Sequence, residues 1–240
     1  MDTYQSVFIG GTGRSGTNIL KKLLSELPEA SALPFEPRYL LDPDGIFDLY
    51  ESKMWSPYVV DFKLRRLKRL LKDLSRRDAL DRFTIFLYDF FQINKRVITP
   101  PRYQKWELDK HIPGFSEHAR QFFEEVVELE YPSYWCGSDS FQWNNHSLFA
   151  GRGDNQKMKQ AIIEFIDRNI TGYLKYQNAS VYIDDSTFNI LHARSIHELC
   201  RNAKLIHIFR DPRDVVVSLM RQKWAPDDLD AAIQWYKSVI

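Results

Sequence analysis

Cysteine is scarce in this chain: Cys136 and Cys200 are the only two in 240 residues. No disulfide framework or cysteine-based metal site is written into such a sequence, and the pair reads as two reduced core thiols. An excess of one charge is also missing. Lys plus Arg number 33 against 32 for Asp plus Glu, a net charge of +1, which leaves no global field to draw in nucleic acid or an anionic membrane. Any anion has to be held locally. Mean hydropathy is −0.42, and no apolar run approaches the roughly 18 residues of a membrane span. The N-terminus, MDTYQSVFIGG, carries neither a basic flank nor a long apolar stretch, so neither signal peptide nor anchor is expected and the chain reads as soluble and cytoplasmic. Without a secretory route, the glycosylation sequons at Asn145, Asn169 and Asn178 carry no meaning. His111, His118, His146, His192, His197 and His207 lack metal-ligand spacing such as H-E-x-x-H, so no metal site is expected. Repeats and low-complexity tracts are absent as well.

What is present is 44% hydrophobic residues, enough for the core of one large domain. Val7, Phe8 and Ile9 form a short apolar run bounded by Gly10 and Gly11, the pattern of a buried parallel strand. Ile19, Leu20, Leu23, Leu24 and Leu27 then make one helical stripe, which Pro28 ends. A second short strand is expected over 32–35. From about 155 the alternation returns. Met158, Ala161, Ile162, Phe165 and Ile166 mark a helix with Asp154 at its N-cap. A strand over 181–183 ends in Asp184-Asp185, a helix over 189–200 turns Ile190, Leu191, Ile196 and Leu199 inward, and 203–209 is the next strand. Asp211-Pro212 opens a further helix, Asp as N-cap and Pro at the first helical position. Strands alternating with helices predict an α/β fold with a mainly parallel sheet and helices on both faces.

Residues 42–150 break this rhythm and read as a large, mainly helical insertion within a single domain spanning 1–240. Aromatics are dense there: Trp55, Tyr58, Tyr103, Trp106, Trp135 and Trp143 either line a surface for a sugar or aromatic acceptor or pack the insertion's own core. Leu64, Leu67, Leu71 and Leu74 form a helical stripe surrounded by Lys63, Arg65, Arg66, Lys68, Arg69, Lys72, Arg76 and Arg77. We read this as a solvated amphipathic face balanced by Glu124, Glu125, Glu128 and Glu130, with a basic surface for an acidic partner as the alternative. Arg152-Gly-Asp154 is read as a turn before the next helix.

The strongest local signal is Gly10-Gly-Thr-Gly-Arg-Ser-Gly-Thr-Asn18, placed between a strand and a helix. Glycines there let several N–H groups converge at a helix N-terminus, which makes a phosphate or sulfate site. From Gly11 to Gly16 the loop is similar to a Walker A motif, but Thr17 replaces its Lys and Asn18 its Ser or Thr. Those missing groups contact the β/γ-phosphates and Mg²⁺. A metal-dependent kinase or GTPase is therefore disfavoured, and Arg14 supplies the cation. Nor is the segment a serine-hydrolase elbow, because G-x-S-x-G would need Gly where Thr17 stands. A second segment, Leu205 through Phe209-Arg-Asp-Pro-Arg-Asp-Val-Val-Val-Ser218, puts Arg210 at a strand's carboxyl end and Ser218 two turns into the next helix. Arg210 and Ser218 either clasp a second phosphate, or Arg210 pairs with Asp214.

Together these two segments resemble the 5′-phosphosulfate loop and the 3′-phosphate motif of sulfotransferases that use 3′-phosphoadenosine 5′-phosphosulfate (PAPS). The resemblance is to the branch with Arg in the loop, which includes tyrosylprotein, carbohydrate and many bacterial sulfotransferases; it covers about 1–40 and 180–240. It implies a three-layer α/β sandwich like that of P-loop nucleoside triphosphate hydrolases. It further implies that Gly13, Arg14, Ser15, Gly16, Thr17 and Asn18 hold the 5′-phosphosulfate, while Arg210 and Ser218 hold the 3′-phosphate. In that branch a Glu after the first helix, with an Arg two positions later, serves the acceptor side, and Glu36 and Arg38 occupy those places. Glu36 is then the base, unless it only pairs with Arg38; Arg14 stabilises the leaving bridging oxygen, and Arg38 orients Glu36 or grips an acidic acceptor. Asp184-Asp185 looks like a Walker B acid, but with no loop Ser or Thr to share Mg²⁺ it is read as a helix cap or acceptor contact.

The activity so implied is sulfuryl transfer from PAPS to a hydroxyl of a carbohydrate, lipid, small molecule or tyrosine, without metal, releasing adenosine 3′,5′-bisphosphate. A P-loop nucleotide kinase-like enzyme and an inactive sulfotransferase-like binding module are the alternatives. Family members continue past the Ser218 helix into another strand and a closing segment. The sequence stops within a helical stretch at Ile240, so we expect a truncated C-terminus or a cofactor site closed in another way.

Overall fold

The computed structural model describes residues 4–53, 56–75, 79–91, 103, 106–132, 146–150 and 155–239. In chain order the elements are β1 (Gln5–Gly11), α1 (Thr17–Leu24), β2 (Ala30–Ala32), α2 (Ile46–Glu51), α3 (Pro57–Leu74), α4 (Ala79–Phe91), α5 (Phe115–Val126), β3 (Leu129–Pro132), β4 (His146–Phe149), α6 (Asn155–Gln177), β5 (Val181–Asp184), α7 (Ala193–Leu199), β6 (Ala203–Ile208), α8 (Pro212–Leu219) and α9 (Leu229–Val239). Short 3-10 turns lie at Leu108–Lys110 and Thr187–His192. The chain divides into two units, Met1–Glu36 with Gln177–Ile240, and Pro37–Tyr176.

The first unit holds a parallel sheet in the order β2-β5-β1-β6, with helices on both sides. β1 is the central strand, and its Phe8 and Ile9 are fully buried, which explains an unbroken apolar run where an exposed strand would alternate. Its register sets Phe8 against Asp184 of β5 and Gly11 against Ile208 of β6. The carboxyl ends of all three strands therefore meet at one edge of the sheet, where ligands of open α/β folds bind.

Three expectations are corrected in this unit. β2 covers 30–32 rather than 32–35, because Ala30–Ala32 pairs with Val181–Ile183 and Pro34 has no N–H to extend the ladder. α1 ends at Leu24, before Pro28, and its buried residues are Thr17 and Lys21 while Ile19 and Leu23 stay exposed. A buried ion pair of Lys21, described below, turns the helix this way. Residues 187–192 form a 3-10 turn rather than the start of a helix, and Leu191 is exposed. There the Asn189 amide donates to Ile9 O and Asp184 O, a side-chain competition with the backbone that disfavours α-helix. Ile196 and Leu199 do face inward on α7.

The second unit is mainly helical, with β3 and β4 paired antiparallel. α3 starts at Ser56, whose Oγ accepts from Val59 N at 3.4 Å, with Pro57 in the first turn. Its stripe Leu64, Leu67, Leu71 and Leu74 is buried as the periodicity predicts; each such side chain contributes about 1.5–3 kcal/mol. Tyr39, Phe115, Phe122 and Phe165 build an aromatic core with centroids 5.4–6.2 Å apart. The basic residues of α3 are balanced in part as expected, since Lys68, Arg69 and Lys72 line one cavity with Glu124, Glu128 and Glu130. Lys63, Arg65 and Arg66 pair with Asp48, Asp61 and Asp44, whereas Glu124, Glu125 and Glu128 pair with Arg120, Arg168 and Lys157. Asn169 is fully buried, its side chain bonded to His118 Nδ1 and Phe165 O, so its sequon is inaccessible. Tyr103 and Trp106 meet edge-to-face at 5.3 Å. Trp55, Arg76, Arg77, Trp135, Cys136, Trp143, Asn145, Arg152 and the Asp154 cap lie outside the described residues.

Candidate functional site

The edge of the sheet in the first unit gathers the loop after β1 and the ends of β5 and β6. β1 delivers the chain into residues 12–16, and close approach dictates the glycine before them: a Cβ on Gly10 would stand 2.6 Å from Ile190 N. Arg14 takes φ 68° and Gly16 φ 111°, left-handed conformations that cost a side-chain-bearing residue about 1–2 kcal/mol. A non-glycine held there is the kind of strain that functional loops retain. Ser15 N donates to Thr12 O at 3.1 Å, which curls the loop onto α1.

The loop then opens into α1 without a side-chain cap at Gly16, leaving first-turn N–H groups as donors for an anion. Ser15 is buried, and its Oγ has no hydrogen-bond partner among the described residues. An orphaned buried hydroxyl beside unsatisfied helix donors fits a phosphate or sulfate oxygen. Gly13 is flanked by the rings of Trp224 and Trp235, which lie 3.6 and 3.7 Å from a Cβ built on it; the two rings sit 5.9 Å apart on the α8–α9 side. Neither tryptophan was marked by the sequence, because no spacing ties them to the loop.

The second segment folds as the sequence predicts. Asp211 caps α8, accepting from Arg213 N at 2.9 Å. Hydrogen bonds from Arg213 hold the Asp211 carboxyl down at about 2. Arg210 then reaches back to the loop, donating from Nη1 to Arg14 O at 3.2 Å, and its other terminal nitrogen lies 3.6 Å from Asp214. Arg14 Nε donates to Ser218 Oγ at 3.0 Å. The Asp214 pairing is therefore present, and the same guanidinium also bonds the loop backbone.

The end of β5 supplies acids. Asp184 is fully buried, and burial raises its carboxyl pKa, opposed by hydrogen bonds from Ser186 and Asn189. Asp185 forms an ion pair with Lys21 of α1 at 2.8 Å and accepts from Asn18 Nδ2 at 3.3 Å. It is thus neither a helix cap nor a free acid. Cys200 is a buried thiol whose pKa burial pushes well up, which suits an inert core residue.

Glu36 is half-buried at the limit of this unit, and Thr187 Oγ1, just past β5, donates to Glu36 Oε1 at 3.5 Å. Arg38 belongs to the second unit, takes φ 68°, pairs with Asp42 at 3.4 Å and lies 5.9 Å over the Trp106 ring. Asp42 also accepts from Tyr103. No cluster of His, Cys, Asp and Glu suited to a metal occurs among the described residues, and none of their helices is long and apolar enough to cross a membrane.

Comparison with curated proteins and with solved structures gives no match. A family model described as the Sulfotransferase family matches residues 6–239, which include both the 10–18 and the 205–218 segments. The chain belongs to the sulfotransferase family, whose chemistry is sulfuryl transfer.

Proposed function

We propose that this protein is a PAPS-dependent sulfotransferase acting on a hydroxyl of a small molecule or carbohydrate. The observation that carries the reading is the junction of the two anion segments, where Arg210 donates to Arg14 O and Arg14 donates to Ser218. A donor with anionic groups at both its 5′ and 3′ ends is matched by such a double site. PAPS supplies an activated sulfuryl group. Gly13, Ser15, Gly16, Thr17 and Asn18 bind its 5′ end with loop and helix N–H groups, and Arg14 offsets charge growing on the bridging oxygen. Arg210 and Ser218 bind the 3′-phosphate. Glu36 takes the acceptor proton as the new O–S bond forms, and adenosine 3′,5′-bisphosphate leaves.

By the same resemblance Arg38 serves the acceptor, and we assign acceptor recognition to the 42–150 insertion of the single domain. A reducing cytoplasm fits the buried free thiol of Cys200 and the inaccessible sequon at Asn169. Calorimetry with adenosine 3′,5′-bisphosphate tests the reading. Clear binding without added metal is expected; binding of ATP with none of the bisphosphate would overturn it in favour of a kinase-like enzyme. Bisphosphate binding without transfer of sulfate from PAPS to any hydroxyl acceptor would favour the inactive module.

A further inference from the structure

Two consecutive carboxylates, Asp184 and Asp185, stand at the end of β5 beside a loop built to receive an anion. Left negative, they oppose that task. Asp184 is buried, with Ser186 N and Asn189 Nδ2 donating to its Oδ1. Asp185 answers through α1: Lys21, one turn into the helix, buries its ammonium 2.8 Å from Asp185 Oδ1, with only 10% and 7% of the two side chains exposed. The other oxygen, Oδ2, accepts from Asn18 Nδ2 at 3.3 Å, so the acid also fixes the last side chain of the anion loop. Lys21 lies on the buried face of the helix, whereas Ile19 and Leu23 are exposed.

We infer that Lys21 is the built-in counter-cation of Asp185, and that the pair supports anion binding by keeping the loop free of net negative charge. In a Walker-type loop a strand-end acid is shared with a divalent cation; here both oxygens of Asp185 are taken by an ammonium and an amide from the loop's own helix. Lys21 and Asp185 are positioning residues, and the inference rests on the reading of residues 13–18 as the 5′-phosphosulfate site.

The experiment is calorimetry with adenosine 3′,5′-bisphosphate, in EDTA, on the full chain and on Lys21→Met, Asp185→Asn and the double variant, with melting temperatures alongside. Removing Lys21 exposes the loop to the Asp185 charge, so Lys21→Met weakens binding by about tenfold or more. Asp185→Asn leaves the Lys21 charge unopposed, so binding is unchanged or tighter although the melting temperature falls. The double variant restores binding to within a few-fold of the original. A merely structural pair would weaken binding in both single variants alike, and that result, or an unchanged Lys21→Met, overturns the inference. If Lys21→Met does not fold, weakened binding by Asp185→Asn overturns it alone. Should the unmodified protein bind ATP but no bisphosphate, the PAPS reading fails separately and the same series read with ATP still decides the role of the pair. Binding of neither ligand overturns both.

Discussion

Arg14 Nε donates to Ser218 Oγ at 3.0 Å, fastening the loop after β1 to a helix 204 residues later in the chain. The acceptor is neutral, so the guanidinium is oriented without its charge being cancelled, in keeping with the anion-facing role proposed for it. Ser218→Ala should therefore lower bisphosphate affinity by up to about tenfold, the equivalent of one hydrogen bond at about 0.5–1.5 kcal/mol, with little change in melting temperature. Calorimetry on the variant reads this directly; unaltered affinity would remove Ser218 from the site.

Arg210 makes the second tie, and the reading gives it the 3′-phosphate. Arg210→Ala should weaken adenosine 3′,5′-bisphosphate by about 2–3 kcal/mol, the range for a lost charge-assisted hydrogen bond. Adenosine 5′-phosphosulfate, which lacks the 3′-phosphate, should be affected little. Equal losses for the two ligands would show that Arg210 acts only through its bond to Arg14 O.

Glu36 accepts from Thr187 Oγ1 at 3.5 Å, and the proposed function makes it the base. Glu36→Gln keeps shape and hydrogen bonding but loses basicity. Bisphosphate affinity should be preserved and turnover with PAPS should fall about 10²-fold or more. A turnover number equal to that of the unmodified protein would take Glu36 out of the base role.

The sequence disclosed what depends on local pattern. Val7 to Ile9 read as a buried strand from an unbroken apolar run, and Asp211-Pro212 as a helix start from its own cap, because both signals lie within a few residues. The loop between β1 and α1 was legible for the same reason. What escaped depends on contacts between distant segments. The stripe on α1 pointed to Ile19 and Leu23 as core, but the Lys21–Asp185 pair joins residues on different elements and turns the helix the other way. The 3-10 turn at Thr187–His192 was read as helix because apolar spacing cannot register that Asn189 bonds the ends of β1 and β5. Likewise, counting acids near α3 gave four glutamates, whereas Asp44, Asp48 and Asp61 pair with its basic residues.

Gly10 is a position where packing alone forbids a side chain. An added Cβ would lie 2.6 Å from Ile190 N, a backbone atom of the turn that Asn189 pins to β1. Neither partner can yield without breaking those bonds, so Gly10→Ala should destabilise the protein by about 1–3 kcal/mol. Chemical denaturation measures the loss. Bisphosphate affinity should fall with it, since the turn shares the strand-end edge with the loop; full stability in the variant would show that the approach is looser than described.

Asp184 gives the last prediction, and its sign follows from linkage. Burial raises its folded-state pKa above the ordinary 3.8, the more so beside Asp185. Between the ordinary and the raised value the folded protein binds more protons than the unfolded chain, so stability falls as pH rises through that window and stays lower above it. Asp184→Asn removes the titrating proton while keeping an oxygen to accept from Ser186 N and Asn189 Nδ2, which lie 2.8 and 3.1 Å from Asp184 Oδ1. Below the ordinary value of 3.8 the variant and the unmodified protein should be similarly stable. As pH rises toward 7 the variant should become the more stable of the two, by a margin that grows through the window and then levels off. Urea denaturation at a series of pH values gives the difference directly, with every other titrating group cancelling in the comparison. A difference that does not change with pH would mean that Asp184 titrates alike in the folded and unfolded chain, so that its charge is carried at no expense to the fold.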